Sequence, residues 1–315
     1  MLIYFLKRII LVIPVIFGVT LITFILLYVV PGDPALNMLG QRADEAAIAR
    51  VRVELGLDQP LLGQYLRFLN RLLHADLGRS YLSRREVLPS LLAHLPYTVH
   101  LAAGALLITI CFGVTIGVIS ACFKGRWLDH VSRITALIFV STPVFWFGLV
   151  LILTFSVQLR ILPASGAHET QGFSEMILAL ILPSFTLGSR AAALVARITR
   201  SSLLEALTTP YIDTARAKGL HEAVVVGKHA LRNALIPILT VTALDFGSFL
   251  NGSVLTEAIF GRPGIGGLLM EAIAKRDFPI IQGTVLFGAI IFVFINLTAD
   301  LIYSWADPRI RLGEV

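Results

Sequence analysis

Residues Tyr211 to Pro237 read YIDTARAKGLHEAVVVGKHALRNALIP, a polar, glycine-punctuated stretch set between two long apolar runs. A membrane-crossing chain keeps such a segment outside the hydrocarbon, for a partner or for the membrane surface. Thr209 stands at a helix N-cap position, Pro210 at the first helical residue, and Asp213 in or beside the first turn, where the helix dipole favours an anion. Gly219 fits the left-handed residue that closes a helix. The pattern predicts a short capped helix. A second helical stretch, His221 to Leu231, then runs into an apolar span starting near Asn233. The two flanking spans would hold this helix-turn-helix rigidly at one face of the membrane.

The remainder of the chain agrees with a membrane setting. Of 315 residues, 56% are hydrophobic and 15% charged, against about 25% charged in soluble domains. Six runs are long enough for a hydrocarbon core that needs about 20 residues: 9–30, 98–122, 131–158, 177–203, 233–256 and 280–304. The fold class is therefore all-α and polytopic, with six transmembrane helices. Residues 1–30 hold the N-terminus and first span, 31–97 an extracytoplasmic helical segment, 98–304 the transmembrane core with its loop at 204–232, and 305–315 a tail. Lys7, Arg8, Lys124, Arg126, Arg216, Lys218, Lys228, Arg232, Arg309 and Arg311 fall on one side of this arrangement. Only Arg160, Arg262, Lys275 and Arg276 lie in short loops on the other. The positive-inside rule puts both termini in the cytoplasm. Residues 31–97 slightly exceed the loop length over which charge orients a chain, so their bases do not count against this. The net charge of +6 follows from the same asymmetry, and its scatter beside apolar spans excludes a nucleic-acid stripe.

The run 9–30 is too long for a signal-peptide core of roughly 7–15 residues and lacks a small-residue cleavage site, so it reads as a retained anchor. In 31–97, Leu61, Leu62, Tyr65, Leu66, Phe68, Leu69, Leu72 and Leu73 recur at helical spacing opposite Arg67, Asn70 and Arg71. This predicts an amphipathic helix lying on membrane lipid or capping the bundle, with contact to a binding protein as the alternative. Glu45 to Leu55 reads as another helix. Pro143, Pro183 and Pro237 mark kinks, and Gly113, Gly117 and Gly247 permit close helix approach. Cys111 and Cys122 lie about 16 Å apart along one helix, too far for a disulfide.

No catalytic or nucleotide-binding motif is visible. Gly227-Lys228 is followed by histidine and lacks the upstream glycine of a phosphate-binding loop, so ATP binding cannot be argued for this chain. His221 and His229 are too widely spaced for a metal pair on one helix turn. The costly residues are ionisable groups at membrane depth, Arg190, Asp245 and Asp300, which must face the bundle interior or water. Arg190, Asp245 and Asn251 are the candidates for a translocation path; Asp300 suits an anchoring role equally well.

The 211–237 stretch resembles the EAA loop of ABC importer permeases, in the variant of the dipeptide, oligopeptide, nickel and glutathione branch. Asp213-Thr214-Ala215 stands at the EAA triplet, Gly219 at the motif glycine, and His229-Ala230-Leu231-Arg232-Asn233 follows. Pro237 lies further from Gly219 than in sugar permeases, which favours the peptide and nickel branch. Pro31-Gly32-Asp33-Pro34, Leu55-Gly56-Leu57-Asp58-Gln59-Pro60, Arg276-Asp277-Phe278-Pro279 and Asp307-Pro308-Arg309-Ile310-Arg311 extend the resemblance over nearly the whole chain. It implies a permease subunit of a bacterial inner-membrane importer, working with a second related permease, two ATPase subunits that carry the ATP, and an extracytoplasmic substrate-binding protein. It further implies that Asp213, Thr214, Ala215, Arg216, Ala217, Lys218, Gly219, Leu220 and His221 form the ATPase-coupling segment. Di- or oligopeptides are the first substrate class, with nickel or a metal chelate, glutathione and short oligosaccharides behind. Two other classes stay open: a secondary transporter or channel, which would need no docking loop and often shows inverted repeats, and an intramembrane enzyme, which would need a converging catalytic constellation.

Overall fold

The computed structural model describes residues 13–25, 39, 44–164 and 172–306. The Pro31 and Asp307 motifs and the terminal bases lie outside them. Among the described residues the regular structure is helical apart from one isolated antiparallel bridge between Arg79 and Glu86. It is an all-α polytopic membrane protein. Four helices are long and apolar enough to cross a bilayer, and a bent pair makes a fifth if it is one span.

The chain divides into two compact units, Met1–Tyr97 with Pro263–Phe294, and Thr98–Arg262 with Ile295–Val315. In the first, an apolar helix α1 (Ile13–Ile25) meets the amphipathic helix α3 (Leu61–Leu73) through Tyr65 and Phe68, the latter stacking on Phe24 at 6.3 Å. The Tyr65 ring sits 5.1 Å from Phe24 and 6.1 Å edge-on from Phe17, and its hydroxyl hydrogen-bonds Thr20 Oγ1 at 3.0 Å. Leu61, Leu62, Leu66 and Leu73 stay exposed, which leaves α3 an uncovered apolar edge. Helix α2 (Glu45–Leu55) ends as its sequence dictates, on Gly56 at φ 70°. Helix α4 (Val87–Cys122) begins upstream of the apolar run at 98; its first turns pack Val87 and Leu91 against Ile265 and Ala272 of α11 (Ile265–Lys275) and Ile280 of α12 (Phe278–Ala306).

In the second unit, α4 continues to Cys122 and is followed by α5 (Trp127–Ser141), α6 (Val144–Leu151) with a π-helical extension Ile152–Gln158, and α7 (Phe173–Leu207). The sequence run 131–158 is bent by 106° between α5 and α6. Pro143 supplies the cause: it has no N–H to continue the ladder, and it holds Thr142 in extended backbone, φ −81° and ψ 128°. Pro183 and Pro237 sit inside helices instead.

Helix α7 is the most enclosed of the long helices. Its packing on α4 needs small residues. A Cβ on Gly117 would lie 2.5 Å from Thr199 Cβ and 2.7 Å from the Ala196 carbonyl, and one on Gly113 would meet Val195 at 2.8 Å. These glycines bring the two backbones close enough for Thr109 Oγ1 to donate to the Gly188 carbonyl across the interface, at 3.2 Å.

Candidate functional site

The loop after α7 builds its own seat. Helix α8 (Pro210–Ala217) starts with Pro210 at its first position and Asp213 in its first turn. Thr209 occupies the N-cap with φ −85° and ψ 146°, yet its hydroxyl donates to the Ala206 carbonyl instead of accepting a helix N–H. The cap is thus one of backbone conformation, with Thr209 tying the loop back to the helix it leaves. Ile212 and Ala215, one turn apart, point inward. They pack on Leu203 and Ala206 of α7, Ala121 of α4, and Val225, Val226 and Ala230 of the segment that follows. Ile212, Leu203, Val225 and Ala230 are fully buried.

The turn out of α8 is a Schellman motif. Gly219 has φ 75°; its N–H reaches the Arg216 carbonyl at 2.9 Å, and the Leu220 N–H reaches the Ala215 carbonyl at 3.4 Å. His221 caps the next helix by accepting the Ala223 N–H on Nδ1. That helix, α9, runs from Glu222 through a π-helical stretch Val225–Ala230 to Gly252. Two side-chain bonds brace the turn. Arg216 pairs with Glu222 at 2.7 Å, and Asn233 Nδ2 donates to the Tyr211 hydroxyl at 2.6 Å. The hydrogen bond to Glu222 raises the Arg216 guanidinium above its ordinary value.

What remains outward is a rigid surface of mixed character. Asp213, Thr214, Arg216, Ala217, Lys218, Gly219, Leu220 and His221 are exposed, as are Tyr211, Leu220 and Val224 among the large apolar side chains. Charged side chains and three large apolar ones thus share this outward face. Among the described residues no group of three potential ligands gathers for a metal.

Among the described residues no ion pair or hydrogen bond links the path candidates to one another. Arg190 on α7 is exposed, and no ion pair joins it to Asp245 among the described residues. Asp245 on α9 is half-buried, with an Oδ2 that has no hydrogen-bond partner among the described residues. Asn251 is exposed and donates weakly to the Gly247 carbonyl of its own helix at 3.4 Å. A buried unpartnered carboxylate oxygen is costly, which marks Asp245 as the strongest of the three.

Residues 113–312 match the family model described as "Binding-protein-dependent transport system inner membrane component", and residues 1–102 match the model of its N-terminal part. The chain belongs to this family. It is a permease subunit of an ABC importer. Its relatives include a dipeptide transport system permease protein DppB of Alkalihalophilus pseudofirmus, 41% identical over 99% of this chain and 100% of the relative. A probable D,D-dipeptide permease DdpB of Escherichia coli K12 is 42% identical over 95% and 94%. A glutathione permease GsiC of Escherichia coli K12 is 40% identical over 99% of both. The solved MetNI methionine ABC transporter, in an inward-facing conformation, shares the fold with a TM-score of 0.55 at 21% identity, over 69% of this chain and 96% of that one.

Three polar clusters of the permease escaped the sequence reading of its site. Asp129 on α5 is buried and accepts from Arg200 Nε and Nη2 at 2.7 and 2.8 Å, from Ser120 Oγ at 2.7 Å and from the Gly125 N–H at 3.0 Å. Glu257 on α10 (Val254–Ile259) is fully buried and accepts from Thr98 Oγ1 and Ser253 Oγ. Asp277, inside a motif that the sequence did single out, takes the Ser80 hydroxyl at 2.5 Å and the Tyr81 N–H at 3.1 Å, fastening the turn after Leu77 to the start of α12. The available signal was a lone carboxylate at the edge of an apolar run; Arg200, Thr98 and Ser80, the partners that tie these carboxylates to other helices and turns, lie too far away in sequence to be read.

Proposed function

We propose that this permease imports di- or oligopeptides as one half of a translocation pathway, with a second related permease, two ATPases and an extracytoplasmic binding protein as partners. In this reading the chain crosses the bacterial inner membrane six times. Both termini and the 204–232 loop are cytoplasmic, and 31–97 lies outside. ATP-driven closure of the ATPases pushes on the surface from Asp213 to His221, and the rigid seat under Ile212 carries that motion into α7, α9 and the end of α4. The path runs past Asp245, with Arg190 and Asn251 as further lining residues.

The observation that carries the proposal is the braced α8 turn, whose inner face is cemented to three span ends while its outer face stays free. Two dipeptide permeases among the relatives favour peptides, and the glutathione relative keeps a modified tripeptide as the second reading. The test is ATP-dependent uptake by the reconstituted complex with its binding protein. A radiolabelled dipeptide should accumulate and be displaced by unlabelled di- and tripeptides. Uptake of nickel or glutathione with none of the dipeptide would replace the substrate class. For orientation, an impermeant maleimide applied to intact cells should label Glu45→Cys and leave His221→Cys unlabelled.

A further inference from the structure

Helices α4, α5 and α7 enclose a groove of about 720 Å³ near the end that carries the coupling segment. Its lining changes character along its length. At the end towards the coupling segment stand His130 and Arg133 of α5 and Arg197 and Arg200 of α7; further along the same helices come Ile134, Leu137 and Leu194. Arg200 is committed to Asp129, whose carboxylate is already filled by Arg200, Ser120 and Gly125. That leaves Arg133 and Arg197, both exposed, as cations facing the groove without a carboxylate between them. The order of cationic head followed by apolar walls matches an amphiphile. A peptide in transit or the flank of another subunit would not require it.

We propose that this groove holds one anionic phospholipid of the cytoplasmic leaflet, its phosphate between Arg133 and Arg197 and an acyl chain along Ile134, Leu137 and Leu194. Basic pockets between membrane helices on the cytoplasmic side recognise such headgroups, and the volume lies within the range of sites for small ligands. The assignment of leaflet rests on the orientation given above. Because Arg200 shares the wall and anchors α5 to α7, a seated lipid would stiffen the contact beside the coupling segment.

The test uses the assembled importer purified in detergent, exposed to dioleoyl phosphatidylglycerol or dioleoyl phosphatidylcholine and read by native mass spectrometry. Phosphatidylglycerol should remain bound and phosphatidylcholine should not. Arg133→Gln with Arg197→Gln should lower retained phosphatidylglycerol by about tenfold or more; Arg133→Lys with Arg197→Lys, which keeps the charge, should retain most of it. Displacement by millimolar inorganic phosphate alone would make the ligand a free anion and overturn the lipid. Equal retention of both lipids, or no effect of the glutamine variant, would overturn the site. So would a disulfide from Leu137→Cys to a cysteine on the second permease, which would make the groove a subunit interface. Binding in detergent does not depend on orientation, so it separates from the maleimide result. Labelling of His221→Cys in intact cells would move the lipid to the other leaflet and leave the site standing.

Discussion

Arg200 of α7 grips Asp129 of α5 with two parallel hydrogen bonds, at 2.7 and 2.8 Å, while Asp129 is 1% exposed and Arg200 23%. The fork holds the start of α5 against α7 one turn before Leu203, where the seat of α8 begins. Removing one member leaves the other charged and without its partner, a loss of roughly 3 kcal/mol or more. Asp129→Asn and Arg200→Gln should each lower the thermal midpoint of the purified complex. The double variant should cost clearly less than the sum. Additive losses would mean that the two side chains do not act as a pair.

The Gly219 turn isolates backbone from packing, because a Cβ built at Gly219 meets nothing within 4 Å while φ is 75°. Gly219→Val should therefore act through strain alone, a kcal/mol or more. Membrane insertion should be normal, and ATPase recovered with the permease should fall. Gly219→Asn, which tolerates the left-handed region, should keep most of it. Equal loss in both variants would indicate that the glycine is needed for contact and not for its conformation.

Ile212 probes the seat itself. Truncation of a fully buried isoleucine costs about 2–5 kcal/mol, here concentrated on α8. Ile212→Ala should leave the yield of inserted permease nearly unchanged and reduce substrate-stimulated ATP hydrolysis severalfold. A variant with wild-type stimulation would show that α8 does not depend on this contact.

Arg190 and Asp245 do not pair in the permease, so charge reversal at both sites should fail to restore uptake lost by either reversal alone. Asp245→Asn should reduce uptake while assembly and basal ATP hydrolysis persist. Recovery in the double variant would indicate an ion pair formed in another state of the transport cycle.

Local chemistry explains what was legible in the sequence. Pro210, Asp213 and Gly219 define α8 within a few residues, so its start, its first-turn charge and its left-handed exit follow from rules about single turns. Gly113 and Gly117 likewise announced close helix contact, and the spacing from Leu61 to Leu73 announced α3. Pro143 announced a kink, but the size of the bend depends on what the freed groups find nearby, which one proline cannot specify. The Thr209 hydroxyl illustrates a similar limit: its position was readable, whereas its choice of the Ala206 carbonyl depends on α7 lying close behind it. Asp129 and Arg200 are 71 residues apart, and no periodicity links them. Asp245 stood out because a charge in an apolar run is expensive; Glu257, at the edge of its run, did not.

In the proposed coupling, the outer face of α8 and the Gly219 turn contacts the ATPase. Thr214→Cys places a thiol on that exposed face without touching Ile212 or Ala215. In the assembled importer, a short bismaleimide should link Thr214→Cys to an ATPase subunit carrying a surface cysteine library, and the link should weaken when Gly219→Val is added. An intact, transporting complex in which Thr214→Cys never links to the ATPase, while a cysteine in the turn at Lys124 does, would contradict the account.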